Sequence, residues 1–365
     1  MAFDPQREDY QRLGLRFART LDGGDATTAA HAFSSFGLRF QQDRDSLPQT
    51  DEDRAFHLVT LAAADIDYRL PFADEREAEK LVAHGHQLLK EALALDADCF
   101  DAARMQAASE KPSFDGYLAY LVEGEPEVRA RCLAERDRAL EGPDSPERAR
   151  LAADLACAPY LRWLAAEAEE ALICGRNREA LRVCREALEL DPHDQADVRF
   201  TEALALAKLE DEAGLDAACA RRQPHGRRTP ADDAWTRLAR LALAYKAHEM
   251  DRARDELRGL VETYPNAAES LIRQAELPDG VFARLCVLPY SEDELILALS
   301  EGTVLLQEGR DPRGAGALSA WVARETSRLA PRASSAVMRE RMAESAAGAD
   351  GWQGPDANLP RGGRP

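Results

Sequence analysis

Apolar residues recur at intervals of three and four along most of this chain. Leu81, Leu88, Leu89, Ala92, Leu93 and Leu95 form one such stripe, and Leu181, Val183, Cys184, Ala187, Leu188 and Leu190 form another. Each stripe predicts a helix with one buried face. Strong helix formers dominate, and hardly a segment carries the alternating β-branched and aromatic residues of a strand, so the expected fold class is all-α. Punctuation predicts helix breaks at Asp22-Gly23-Gly24-Asp25, Leu47-Pro48, Leu70-Pro71, Gly124-Glu125-Pro126, Gly142-Pro143-Asp144-Ser145-Pro146, Asp191-Pro192, Gln223-Pro224, Tyr264-Pro265, Leu277-Pro278 and Leu288-Pro289. Between Ser145 and Cys174 the pattern is helical throughout, as one or two helices, with Tyr160 and Trp163 as large anchors. Tyr10, Phe17, Phe33, Phe36 and Phe40 are spaced for the buried faces of two helices. From Pro331 onward Ala, Gly, Pro and Arg are abundant and periodicity fades after Met342, which predicts mainly a mobile tail with a short helix at Ser335 to Ser345.

The stretch GRNREALRVCREALELDPHD, residues 175 to 194, combines a turn glycine, small residues on a helix face and a closing proline at Gly175, Ala180, Ala187 and Pro192. The same offsets return at His248, Ala253, Leu260 and Pro265, and at Gly314, Ser319, Thr326 and Pro331. Weaker echoes are Lys80, Gly85, Ala92 and Ala97, and Cys132, Ala139 and Pro143. The separations of the strong units suit pairs of repeats of ~34 residues.

GRNREALRVCREALELDP resembles the second helix and exit of a tetratricopeptide repeat, with Ala168 seven residues before the glycine. Glu167 and Ala171 stand where that family prefers large apolar residues. The junction PHDQADVRF, residues 192 to 200, resembles a P-N-D-x-Q-x-V-R linker of poorly characterised bacterial proteins of this superfamily. The resemblance implies an α-solenoid of antiparallel helical hairpins, stacked with an inner groove that binds a peptide or protein segment. It divides the chain into an N-terminal helical cap at 1–75, degenerate helical repeats at 76–160, tetratricopeptide-like repeats at 161–330 and the tail at 331–365. It also nominates Arg162, Arg199, Trp235, Tyr245 and Lys246 as groove positions, where arginine clamps carboxylates and aromatics supply low-entropy contact area.

Charge and composition narrow the function further. A formal charge of −19 and a pI near 4.9 oppose general attraction to nucleic acid. One basic exception, Arg221, Arg222, Arg227 and Arg228 on a Pro/Gly-bearing stretch, suits an acidic partner. Seven cysteines without a C-x-x-C pair fit reduced, buried thiols in a cytoplasm, and no apolar run is long enough for a membrane span. His84 and His86 are two apart, on different faces of a helix, so no metal ligand set is expected, and no cofactor motif is present. The expected function is therefore a non-catalytic protein- or peptide-binding scaffold or adaptor. Two other classes stay open: an all-helical enzyme with catalytic acids dispersed among 66 Asp and Glu, and a peptide-sensing regulator.

Overall fold

A computed structural model describes residues 4–21, 26–70, 73–221, 233–277, 287–309 and 316–351, without the side chains of 26–30 and 342–351. The chain is all-α, with no strand among the described residues. Its contacts divide it into two compact units, one containing the described residues up to Arg221 and the other those from Asp233 to Leu277 and from Leu288 onward. The division falls inside the 161–330 segment.

The first unit contains α1 (Pro5–Thr20), α2 (Ala26–Gln42), α3 (Asp51–Ala63), α4 (Glu75–Leu95), α5 (Phe100–Glu110), α6 (Phe114–Glu141), α7 (Pro146–Ile173), α8 (Asn177–Leu190), α9 (Val198–Lys208) and α10 (Glu212–Arg221). Starts are fixed by side chains that accept orphan amides: Asp4, Thr50, Asp74, Ser113 and Ser145 all do so. Three apolar clusters lie along this unit. Leu13, Phe17, Phe36 and Leu47 join α1 to α2, Val59, Leu89 and Ala92 join α3 to α4, and Tyr160, Trp163, Leu164, Val183 and Cys184 join α6, α7 and α8. The rings of Tyr10, Phe17, Phe33, Phe36 and Phe40 meet as one group between α1 and α2, with Phe17 and Phe36 stacked at 5.0 Å.

One proline reading is corrected. Pro126 breaks no helix, since α6 runs through it, and Pro159 lies inside a single α7. Packing overrides the proline penalty here: α6 and α7 lie along each other, and Trp163 of α7 donates its indole N–H to the Leu121 carbonyl of α6 at 2.9 Å. A Cβ on Gly124 would come within 2.7 Å of the Trp163 ring, so this glycine makes room for the indole. The first weaker echo has no turn, because its helix runs through the Lys80 position, whereas the second keeps its two small positions on one helix as the template does. Lys80, Gly85 and Ala92 all lie on α4, where Gly85 admits Ile66 from the π-helical turn Ala64–Arg69, and Cys132 and Ala139 both lie on α6.

The second unit contains α11 (Ala234–Lys246), α12 (Met250–Thr263), α13 (Ala267–Arg273), α14 (Glu292–Glu301), α15 (Thr303–Leu306), α16 (Ala317–Leu329) and α17 (Pro331–Gly351). Its core is built from Leu238, Leu241, Leu257, Leu260, Leu271, Leu299 and Val322. Where a mainly mobile tail with a short helix at Ser335 to Ser345 was expected, α17 is helical over Pro331–Gly351. Val337 is buried, and Arg341 and Glu340 pair with Glu276 and Arg273 on the segment beside α13. Two ion pairs and one well-placed valine anchor a segment whose own apolar periodicity is weak. Residues 352–365 lie outside the described residues.

One local geometry recurs in both units. After α7, α9 and α11 the chain turns through a left-handed residue, at Gly175, Glu210 and His248. At each turn the amide of the next residue reaches back five positions: Arg176 to Ala171 at 2.7 Å, Asp211 to Leu206 at 3.0 Å and Glu249 to Ala244 at 2.9 Å. The left-handed residue itself reaches back three, and together these bonds form a Schellman cap, which satisfies the last carbonyls of each helix before the next begins. The three caps follow one another at 35 and 38 residues, Gly175 to Glu210 and Glu210 to His248. The corresponding position of the expected C-terminal unit, Gly314, lies outside the described residues.

Candidate functional site

Of the nominated groove positions, Arg162 and Arg199 belong to the first unit and Trp235, Tyr245 and Lys246 to the second. Arg162 lies midway along α7 with its side chain 10% exposed. Its guanidinium grips Asp101 of α5 through two N–H groups at 2.5 and 2.7 Å, and donates to Glu8 of α1 at 2.8 Å. Three helices that are distant in sequence thus converge on one cation, and the carboxylates it clamps are the chain's own. Burial pushes the Asp101 carboxyl up, but the Arg162 charge and its hydrogen bonds more than offset this and hold it below the ordinary range. Burial disfavours the Arg162 charge too, and Asp101 and Glu8 keep it protonated.

Phe56 of α3 closes this cluster on one side, with the Arg12 guanidinium 4.2 Å from its ring centre. Arg12 also donates to Glu8 at 2.8 Å and to the Leu155 carbonyl at 3.3 Å. That carbonyl lies four residues before Pro159, which has no N–H to give it. An arginine from α1 therefore supplies the hydrogen bond that the proline in α7 withholds.

A second polar cluster, buried only at Tyr160 and Glu167, lies between α6, α7 and α8. The Tyr160 hydroxyl reaches Glu125 at 2.5 Å and Glu186 at 3.2 Å, and Arg182 holds Glu186 at 2.9 Å and Glu179 at 2.7 Å. Glu167, only 1% exposed, faces Arg182 at 3.5 Å with one oxygen, while its other oxygen has no hydrogen-bond partner. Burial pushes its carboxyl up to about 7 against the pull of Arg182, and the negative charges of Glu125, Glu179 and Glu186 add to the rise. A phenol has one hydrogen, so the Tyr160 hydroxyl can donate to only one of the two carboxylates beside it at a time.

Arg199 begins α9 and is paired with Asp194, at 2.9 Å, and with Asp197, its guanidinium lying 4.2 Å over the Phe200 ring. Asp191 and Asp194 spend their oxygens on backbone amides of the same turn, which explains the stiffness of PHDQADVRF as a corner. In the second unit Trp235 is buried and donates to Glu301 at 2.7 Å. Tyr245 is half-buried, its ring 5.4 Å from that of Trp321, and Lys246 beside it pairs with Glu308 at 2.8 Å. The five residues thus form no single cluster within either unit. Arg162 and Trp235 are interior, and Tyr245 and Lys246 are neighbours at one helix end.

In the arginine-rich stretch, Arg221 pairs with Glu202 at 2.8 Å, and Arg222, Arg227 and Arg228 lie outside the described residues. His84 is hydrogen-bonded to Asp65 at 2.6 Å, and among the described residues no group of three or more His, Cys, Asp or Glu is arranged to hold a metal ion. Cys99, Cys132, Cys157 and Cys184 are buried free thiols, Cys174 and Cys219 are half-buried free thiols, and Cys286 lies outside the described residues. No helix among the described residues is long and apolar enough to cross a membrane.

Sequence reasoning missed Glu8, Asp101, Glu125 and Glu186 because paired carboxylates on a helix surface look like any solvated acid. Glu167 did give a signal, as an acid interrupting an apolar stripe. No protein-family model, curated protein or solved structure matches this chain.

Proposed function

We propose that the chain is a tetratricopeptide-like helical-repeat protein of the cytoplasm that binds a peptide or protein segment and performs no catalysis. The observation that carries this reading is the cap shared by Gly175, Glu210 and His248, with the same pair of backbone bonds at a spacing of about one repeat. Each cap joins a helix with a buried small-residue face to a second helix. Ala168, Ala180 and Ala187 are fully buried at the first cap, and Leu241, Ala253 and Leu260 at the third. The alanines at the first cap, and Ala253 at the third, let two helices approach closely, which is the packing a stacked array needs.

Within the second unit the contact residues are Tyr245 and Lys246. Tyr245 is partly exposed and its ring is supported by Trp321, so little entropy is lost when a partner packs on it. Lys246 sets beside it a cation whose present partner, Glu308, stands in for a carboxylate from the ligand. In the first unit Arg199 offers the same chemistry at the start of α9.

Panning a random-peptide display library against the full chain tests the reading. The expected result is an enriched family of acidic peptides that binds at least tenfold more weakly to Tyr245→Ala and Lys246→Ala. Absence of any enriched family, or selected peptides indifferent to both substitutions, overturns it.

A further inference from the structure

The helix α1 is fastened in two different ways. Toward α2 its contacts are apolar: Leu13 and Phe17 pack with Phe36 and Leu47. Toward α7, α5 and α3 a row of charged groups runs almost the length of the helix. Glu8 meets Arg162, Arg12 meets the Leu155 carbonyl and the Phe56 ring, Arg16 meets Asp53 at 2.5 Å, and Arg19 meets Asp144 at 2.6 Å. Asp9 sits between Arg44 and His57 at 2.5 and 2.9 Å, and the Thr60 hydroxyl donates to the Pro5 carbonyl at 3.3 Å. Leu15, also buried, lies on the same face as Glu8 and Arg12, so α1 meets the body through one apolar side chain and a row of ion pairs, an arrangement that fixes its register with high specificity. Buried ion pairs gain little over the solvated state, although removing one partner is costly. Such elements open before the core does.

We propose that the face formed by Arg162, Asp101, Phe56 and the Leu155 carbonyl is a receptor face for a helical segment carrying an acid followed four residues later by an arginine, and that α1 is its resident occupant. The chemistry is specific on both sides. The carboxylate takes the Arg162 Nη1 hydrogen while Asp101 holds Nε and Nη2, and the arginine takes the carbonyl that Pro159 leaves without a backbone donor and stacks on Phe56. Leucine and phenylalanine at the positions of Leu13 and Phe17 are not required for this contact, because in α1 they face α2. A partner segment with the Glu8/Arg12 pattern exchanges with α1 at that face and exposes the Phe17 and Phe36 cluster as α1 leaves. Only the identity of the exchanging segment as a partner rests on the binding function proposed above; the docking of α1 stands on the ion pairs alone.

Amide hydrogen exchange of the full chain, wild type and Glu8→Arg, tests the docking. In the wild type, α1 amides are expected to exchange at least tenfold faster than those of α7. In Glu8→Arg, where two cations face each other, α1 protection falls a further tenfold or more while α8 and α9 are unchanged. A labelled synthetic peptide of residues 4–21 is then titrated into the Glu8→Arg chain. Saturable binding is expected, at least tenfold weaker for the peptide carrying Glu8→Gln, and lost when Arg162→Met is added to the chain. Equal protection of α1 and α7 in the wild type overturns the inference, as does an undocked α1 in a chain that fails to bind the peptide. Binding of the peptide together with an empty library selection overturns instead the partner-binding function.

Discussion

His248 closes α11 at φ +61°, in the left-handed region, with its side chain exposed. For a residue with a Cβ this conformation costs about 1–2 kcal/mol. Glycine removes that cost and adds about 0.5–1 kcal/mol of unfolded-state entropy to be overcome, so His248→Gly is expected to stabilise the protein by about 0.5–1 kcal/mol. The bonds of the cap use backbone atoms only, from His248 to Tyr245 at 3.1 Å and from Glu249 to Ala244 at 2.9 Å, and survive the change. The mirror substitution, Gly175→Ala at φ +73°, meets no neighbouring atom within 4 Å, so backbone strain alone acts, and a loss of about 1 kcal/mol is expected. Arg185→Gly, at an exposed position inside α8, provides the opposite sign for a glycine and should cost about 1 kcal/mol. Thermal melts followed by circular dichroism resolve these differences, at roughly 2–4 °C per kcal/mol for units of this size. A His248→Gly protein that melts at or below the wild-type temperature would refute the assignment of this turn as a strained left-handed cap.

Gly124→Ala should destabilise by about 1–3 kcal/mol despite alanine's higher helix propensity. The Trp163 ring 2.7 Å from the new Cβ is buried and tethered to Leu121, so it has nowhere to go, and an unchanged denaturation midpoint would contradict this. Glu167 has a folded pKa near 7 against an ordinary 4.5, so its neutral form favours folding most strongly below about pH 4.5 and that contribution is lost as pH rises through 7. Glu167→Gln should therefore stabilise the protein at pH 8 by about 1–3 kcal/mol and flatten the decline between pH 5 and 8, whereas an equal decline in both proteins would exclude it as the cause. Burial pushes the thiols of Cys99 and Cys132 up to about 12. Native protein treated with iodoacetamide at pH 8 should keep both unmodified until denaturant is added, and labelling within minutes would show that they are accessible.

Local signals carried most of the fold. The period of the apolar stripes located α4 and α8 because helix geometry dictates it, and caps such as Ser145-Pro146 placed helix starts to within a residue. Pro126 misled because a proline's local penalty is smaller than the gain from a long α6–α7 contact, and that contact depends on Trp163 finding Gly124 across sequence. The extent of α17 beyond the expected Ser335–Ser345 was hidden for the complementary reason, since its anchors are Arg273, Glu276 and a single valine. For the candidate site, residue chemistry was more legible than placement. Arg162 reads as a carboxylate clamp from its type and register, but nothing local shows that Glu8 and Asp101 reach it from 154 and 61 positions away. The Gly175 unit was legible because its turn, its small residues and its proline are contiguous. The Glu210 turn went unread, since a glutamate in the left-handed region leaves no mark in sequence.

Isothermal titration of the full chain with a display-selected acidic peptide tests most directly whether this protein works by binding a segment on α11. One saturable site is predicted, with affinity at least tenfold lower in both Tyr245→Ala and Lys246→Ala and melting temperatures of those variants within a few degrees of wild type. An affinity unchanged by both substitutions, or heats without saturation, would contradict it.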